Sequence, residues 1–233
     1  MIKDKKVLAL TLARGGSMGI PKKNIIDIYG KPLLQYTTEE VKKSKYIDHY
    51  IVSTDCSQII KVCNKLKVNI FKRKLAKDTQ TSAEGLLEVL NSLKEKYDYI
   101  IEIMCTNPLK TVIDIDAVIE KLDNTQADSV VSVVRIWDNH PLRVKYIEND
   151  KLVGFYGDEN PDYSSSRRQD LSPPAYVRNG SLYAMTYNQI INNEVRIGKD
   201  VRPYIMSEKK SVNLDEPIDL EIAKIKIKHL YDI

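Results

Sequence analysis

The 233-residue sequence predicts an α/β fold: a mostly parallel sheet flanked by helices, with a small inserted arm. Three observations predict it. Apolar runs of strand length alternate with amphipathic stretches of helical spacing, the pattern of repeated β-α-β units. The strand-length runs are almost continuously apolar, as strands covered on both faces must be. From about residue 138 the texture changes to short alternating segments, which marks the insertion.

The first strand covers residues 5–12, "KKVLALTL". In "PLLQYTTEEVKKS" (32–44), Leu33, Leu34, Tyr36, Thr37 and Val41 recur at roughly helical spacing, and Pro32 suits a first turn. "HYIVST" (49–54) is the second strand, and "CSQIIKVCNKL" (56–66) the next helix, with Asp55 or Ser57 as its predicted cap. Residues 68–71 form a short strand, 82–96 a helix, 97–104 a strand, 111–122 a helix and 128–136 another apolar strand. In "PLRVKYIENDKLVGFYG" the central "END" is a turn between two hairpin strands. Residues 158–180, rich in Pro, Ser and charge, read as a long loop of the kind functional sites use. The strand "SLYAMT", then "RPYIMS" and "SVNLD", precede a last helix over 217–231.

Composition narrows the function classes. Charged residues make up 29% and apolar ones 42%, with no apolar run long enough to cross a bilayer. The N-terminal apolar stretch is short and runs directly into Arg14 and a Gly-rich turn, so it reads as a buried strand rather than a secretory signal. The net charge of +4 is spread along the chain and forms no dense basic stripe for nucleic acid; small anions fit better. The 3 cysteines, Cys56, Cys63 and Cys105, have neither CxxC spacing nor neighbouring His, which argues against a disulfide scaffold and against zinc and for a reducing cytoplasm. His49, His140 and His229 have no partners resembling a nucleophile triad. His140 reads as ordering the arm, and Trp137 as a packing residue at the junction.

The candidate site begins in "LARGGSMGIPKKN" (12–24). It is neither a Walker loop, since Gly15 and Gly16 are followed five residues later by Ile20 and Pro21, nor a GxGxxG fingerprint. What remains is a strand-to-loop switch in which Gly15, Gly16 and Gly19 let backbone N–H groups approach an anion, flanked by Arg14 and Lys23. A Gly-rich turn with incidental cations is the plainer alternative.

At these residues the chain resembles the acylneuraminate cytidylyltransferases, the CMP-sialic acid synthetases and their relatives acting on legionaminic and pseudaminic acids. "ARGGSMGIPKKN" fits the family's "ARxxSKGxPxKN", with Met18 in place of the usual Lys. "GKPLLQYT", "IVSTD", "FKRKLAKDTQTS", "CTNPLKT", "NHPLRVK", "RRQDLSPPAYVRNGSLY" and "SVNLDEPIDL" follow in the family's order. The resemblance implies a Rossmann-like nucleotidyltransferase core over 1–137 and 176–233, a dimerisation arm over 138–175, and a homodimer. It implies reaction of CTP with a free nonulosonic acid to give the CMP-sugar and pyrophosphate, assisted by Mg2+.

Residue by residue, the resemblance implies catalytic roles for Arg14, Lys23 and Asp215, and nucleotide binding by Ala13, Gly15, Gly16, Ser17, Asn24, Arg73 and Ser82. Lys22 is a possible substitute for the cation lost at Met18. A surface cation and a helix cap explain Arg73 and Ser82 as cheaply. The metal falls to Asp215, with Asn213 auxiliary where the family has a second Asp. Two residues separated by one project to the same side of an extended segment and can share a hard cation. A helix N-cap before Pro217 is the alternative for Asp215. For the acceptor sugar, the resemblance points to Arg143 and Arg168 as carboxylate and sugar contacts, Tyr183 as an aromatic wall, and Met104, Thr106 and Asn107 as lining. Met104, Asn107 and Lys110 together resemble the branch that handles legionaminic-type sugars. Two rival readings remain: a sugar-1-phosphate nucleotidyltransferase using another NTP, and a non-catalytic nucleotide sensor that kept the loop.

Overall fold

The computed structural model describes residues 1–17, 19–74, 79–155 and 167–232. In chain order its elements are β1 (Val7–Leu12), β2 (Asp27–Ile28), β3 (Lys31–Pro32), α1 (Leu33–Val41), β4 (His49–Thr54), α2 (Ser57–Leu66), β5 (Asn69–Lys72), α3 (Ser82–Ser92) and β6 (Tyr99–Ile103). They continue with α4 (Val112–Thr125), β7 (Ser129–Ile136), β8 (Lys145–Glu148), β9 (Lys151–Gly154), β10 (Ala175–Thr186), α5 (Tyr187–Asn193), β11 (Val201–Ile205) and α6 (Pro217–Tyr231).

The apolar runs become a 7-stranded sheet in the order β5-β4-β1-β6-β10-β7-β11. Strands β4, β6, β5 and β11 pair in parallel with their neighbours, whereas β10 runs antiparallel between β6 and β7. Along β1 the side chains alternate between two cores. Val7 and Ala9 face the layer that contains Ile59, Ile115 and Ile119, and Leu8 and Leu10 face the layer of Leu86, Val89 and Ile190. Both faces are therefore dry, which is why these strands read as unbroken apolar runs. A third core, with Ile20, Leu33, Tyr36, Leu109, Leu214, Ala223 and Ile227, fastens α6 beneath the Gly-rich loop.

The chain winds outward from β1 to β4 and β5, then restarts on the other side of β1 with β6. The C-terminal ends of β1 and β6 thus flank the point where strand order reverses, the place where open α/β sheets bind ligands. The arm's hairpin forms as expected. Asn149 (φ 49°) and Asp150 (φ 62°) both adopt left-handed backbone, the two-residue turn that suits the strand twist.

Three expectations need correction. Neither Asp55 nor Ser57 caps α2: Cys56 stands at the N-cap without a side-chain bond, because Asp55 Oδ1 accepts the Gly15 N–H at 2.8 Å. The loop over 158–180 ends earlier than expected, since residues from Ala175 pair with β7 through backbone bonds that their polar side chains do not reveal. Residues 156–166 of that loop lie outside the described residues. Helix α3 stops at Ser92, where Leu93 turns extended.

Candidate functional site

The Gly-rich loop leaves β1 with Ala13 buried, its N–H donating to the Ser53 carbonyl at 2.9 Å. Asn24 is buried as well. Its Nδ2 donates to the Arg14 carbonyl at 2.9 Å and its Oδ1 accepts the Cys105 thiol at 3.2 Å. Asn24 therefore clamps both ends of the loop rather than reaching outward. The Gly15 N–H, committed to Asp55, is no longer a donor for an anion. Gly16 is exposed and Ser17 half-buried, while Met18 lies outside the described residues.

Gly19 has a more demanding position. A Cβ built there would lie 2.0 Å from the Asp215 carbonyl oxygen, so this residue must be Gly for the loop to touch the 213–215 segment. From the other side of that segment, Lys23 Nζ donates to the Leu214 carbonyl at 2.5 Å and pairs with Asp215 Oδ1 at 2.9 Å. Asn213 Nδ2 meets Asp215 Oδ2 at 2.5 Å. Leu214 is buried between them. Asn213 and Asp215 thus share one side of the chain, as their spacing predicts, although residues 211–215 belong to no strand. The cap alternative for Asp215 fails, because Glu216 is the N-cap of α6 and forms its capping box with Asp219.

The third wall is the turn after β6. Leu214 N–H donates to the Thr106 carbonyl at 3.0 Å, and Met104 N–H to the Ser181 carbonyl at 3.0 Å. Asn107 is fully buried and turned inward, with Nδ2 donating to the Asn179 carbonyl at 3.3 Å and Oδ1 accepting from Leu109 N–H at 3.3 Å, so it is held away from any acceptor sugar. Lys110 is fully buried too, and its ammonium donates to Thr37 Oγ1 at 2.9 Å, the Met104 carbonyl at 2.7 Å and the Asn107 carbonyl. Burial pulls its pKa down to about 7, against opposing pulls from Cys105, Asp114 and Glu40. The pattern of β10 breaks opposite this turn, between Arg178 and Tyr183, where Gly180 (φ 61°) faces the Asn213 amide.

On the nucleotide side, Arg73 is not a surface cation. It is 5% exposed, donates to the Ser53 carbonyl at 3.4 Å and Gln80 Oε1 at 3.3 Å, and its Nε has no hydrogen-bond partner. Burial lowers its pKa. Asp55 and Glu88 oppose that shift and Arg14 reinforces it, which places two guanidinium charges in one field at the end of β1. Thr81, not Ser82, caps α3 through a capping box with Glu84, and Ser82 opens the helix half-buried. Thr106 Oγ1 is another buried polar atom without a hydrogen-bond partner.

The remaining acceptor candidates split. Arg143 and Arg168 both approach Asp138, each at 3.7 Å, and the Trp137 ring carries Arg135 at 3.7 Å and Arg168 at 5.3 Å. They form a cluster at the base of the arm, separate from the contacts around Asp215. His140 ties this base together. Its Nδ1 accepts from Leu142 N–H at 3.3 Å, which leaves Nε2–H to donate to the Pro173 carbonyl at 2.9 Å. Tyr183 is 5% exposed and packs with Met104, but its ring is covered by Arg196 at 4.1 Å. Arg196 and its partner Glu102 carried no sequence signal, because they lie 94 residues apart.

The family model described as "Cytidylyltransferase" matches residues 8–190, and the chain belongs to that family. It is 28% identical over 232 residues to a pseudaminic acid cytidylyltransferase of Campylobacter jejuni, covering 96% of this chain and 98% of that one. It is 30% identical over 227 residues to N-acylneuraminate cytidylyltransferase B of Danio rerio, covering 94% of this chain and 51% of that longer protein. Among solved structures, a CMP:2-keto-3-deoxy-manno-octonic acid synthetase complexed with CTP superposes with TM-score 0.72 at 18% identity, covering 98% of this chain and 100% of that one, a likeness of fold. The protein is therefore a nucleotidyltransferase.

Two predictions follow from the geometry. Gly19→Ala should cut cytidylyl transfer at least tenfold by forcing the loop off Asp215, whereas Gly16→Ala, whose Cβ would meet nothing within 4 Å, should stay within about threefold; steady-state kinetics of the two variants checks this. For Lys110, the folded state binds fewer protons than the unfolded chain between about pH 7 and the ordinary lysine value of 10.5. The group's contribution therefore rises with pH across that window and is at its least favourable below it. Urea titrations at pH 7 and pH 10 should show the stability gap between wild type and Lys110→Met widening at the higher pH. A gap that is the same at both would mean the amine titrates normally.

Proposed function

We propose that this cytidylyltransferase joins CMP from CTP to the anomeric hydroxyl of a free nonulosonic acid and releases pyrophosphate. The observation that carries the reading is the convergence of Lys23, Asp215 and Asn213 between the Gly-rich loop and the turn after β6, at the strand-order reversal. The named activities of the two relatives, on pseudaminic and N-acylneuraminic acids, support that acceptor class.

In-line attack on the α-phosphorus needs positioning and charge neutralisation more than covalent help from the protein. Arg14 and Lys23 take the phosphate oxygens, and Arg73, half-satisfied and buried, holds the nucleotide side. The donor set fits Mg2+: Asp215 offers a hard carboxylate and Asn213 an amide that presents its oxygen on rotation. No three His, Cys, Asp or Glu side chains gather among the described residues, so further ligands would have to come from the substrate's phosphates. The chemistry the ion would supply there is neutralisation of phosphate charge and a lowered pKa for the attacking hydroxyl. Lys23, whose pair with Asp215 is open to solvent on the carboxylate side, would turn to phosphate if Asp215 were engaged by the metal.

Within the nonulosonic acids, Met104 favours an acceptor with a methyl-bearing, less polar end, of the legionaminic type. Asn107 and Lys110, being buried, add nothing to that choice. The arm completes a homodimer. Ile147 and Leu152 face each other across its hairpin, and both are well exposed, as are Tyr146 and Phe155.

Pyrophosphate release from CTP and Mg2+ with a panel of nonulosonic acids tests the function. Turnover is expected, faster with diacetyllegionaminate than with N-acetylneuraminate, and Asp215→Ala should lower kcat about 100-fold or more. Binding of CTP without release for any acceptor would overturn the reading. Ile147→Glu with Leu152→Glu should convert a dimer to a monomer in sedimentation velocity with the melting temperature of the fold preserved, since neither side chain packs in the core; an unchanged sedimentation coefficient would remove the arm from the interface.

A further inference from the structure

Glu102 is a carboxylate on β6, a strand near the centre of the sheet, with a side chain only 2% exposed. It lies on the same face as Tyr183, its directly paired neighbour in β10, and two residues before Met104. Arg196, from the segment between α5 and β11, reaches over this face. Its Nη1 meets Glu102 Oε2 at 2.6 Å, and its guanidinium carbon lies 4.1 Å above the centre of the Tyr183 ring. Met104, Tyr183 and Ile197, the residue after Arg196, belong to one packed cluster.

Burying such a pair costs several kcal/mol of desolvation per ion, and an apolar pair of similar volume would hold the segment as well or better. Packing therefore does not explain it. Arg196 keeps about a fifth of its side chain exposed (21%), and among the described residues its other guanidinium donors make no hydrogen bond. The surface offered beside Met104 is consequently a guanidinium edge, where the sequence suggested an aromatic ring.

We propose that Arg196, held by Glu102 and Tyr183, is a specificity-determining residue of the acceptor pocket that donates to a neutral oxygen of the sugar, a hydroxyl or an amide carbonyl. The inference rests on the nonulosonic acid reading above. The charge balance selects the kind of oxygen. Glu102 already neutralises Arg196 at hydrogen-bond distance, so the pair offers directional N–H donors without the net positive charge that would draw the acceptor's carboxylate. A buried site built to hydrogen-bond an oxygen discriminates strongly against an acceptor that lacks it.

The test is steady-state kinetics on wild type, Arg196→Met and the double variant Glu102→Leu/Arg196→Met, with melting temperatures alongside. Arg196→Met alone strands a buried carboxylate and should melt lower. The double variant removes both charges and should recover a melting temperature close to wild type. The KM for the acceptor should remain raised roughly tenfold or more in the double variant, with the KM for CTP within about twofold, since the lost contact touches only the sugar. If the double variant recovers the acceptor KM along with stability, Arg196 is a structural tie and the proposal is overturned. If the wild type turns over no nonulosonic acid, the functional reading fails and this inference falls with it; turnover with an unchanged KM in both variants sinks the inference alone.

Discussion

The site depends on one buried turn. After β6 the chain turns from Met104 to Lys110 with Cys105, Asn107, Leu109 and Lys110 buried, and the Met104 carbonyl takes a long turn bond from the Asn107 N–H at 3.4 Å. Lys110, from within the same turn, brings its Nζ to the carbonyls of Met104 and Asn107 and to Thr37 Oγ1 of α1. As an ammonium it offers one donor to each oxygen; as the neutral amine that burial favours above about pH 7, its two N–H groups serve the carbonyls and the Thr37 hydroxyl donates to its lone pair. The turn then holds Leu214 through the Thr106 carbonyl, and with it the Asp215 side chain that Lys23 contacts.

Topology explains why these loops meet. Reversal of strand order at β1 and β6 opens the crevice, and the antiparallel β10 brings a second irregularity to it at Asn179 and Gly180. Asn179 accepts Asn107 on one side, and Gly180 leaves room for Asn213 on the other. The third hydrophobic core closes the arrangement from below. Ile20 from the Gly-rich loop, Leu109 from the turn and Leu214 pack on Ala223 and Ile227 of α6. Charged side chains are thereby mounted on backbone fixed by apolar packing, the division that catalytic loops on rigid scaffolds exploit.

Much of this was legible in the chain because it is local. The alternation of apolar runs with helical spacing located the sheet and its helices, and the glycines after β1 located the loop. The one-residue spacing of Asn213 and Asp215 put them on one side of the chain even though no strand forms there. What escaped is long-range. Asp55 reads as a helix cap until Gly15, 40 residues away, takes its carboxylate. Asn24 and Asn107 sit in motifs that suggest ligand contact, but an amide satisfies a buried backbone as readily as a substrate, and spacing does not distinguish the two. The burial of Arg73 and Tyr183 was not legible, since it depends on what other segments lie over them.

Two ion pairs flank the crevice, and their burial gives them different duties. Lys23 with Asp215 is open on the carboxylate side, which is 63% exposed, so water and ions screen it and the net gain from the contact is of order 0–1 kcal/mol. A ligand bearing several phosphate charges readily outcompetes so weak a pair for Lys23. Arg196 with Glu102 is closed on the carboxylate side, at 2% exposure. Separating it would leave a buried charge unpaired at several kcal/mol, so it persists through binding and presents one fixed edge. An exchangeable pair suits a nucleotide that must arrive and depart with each turnover. A fixed pair suits the discrimination of one sugar from another.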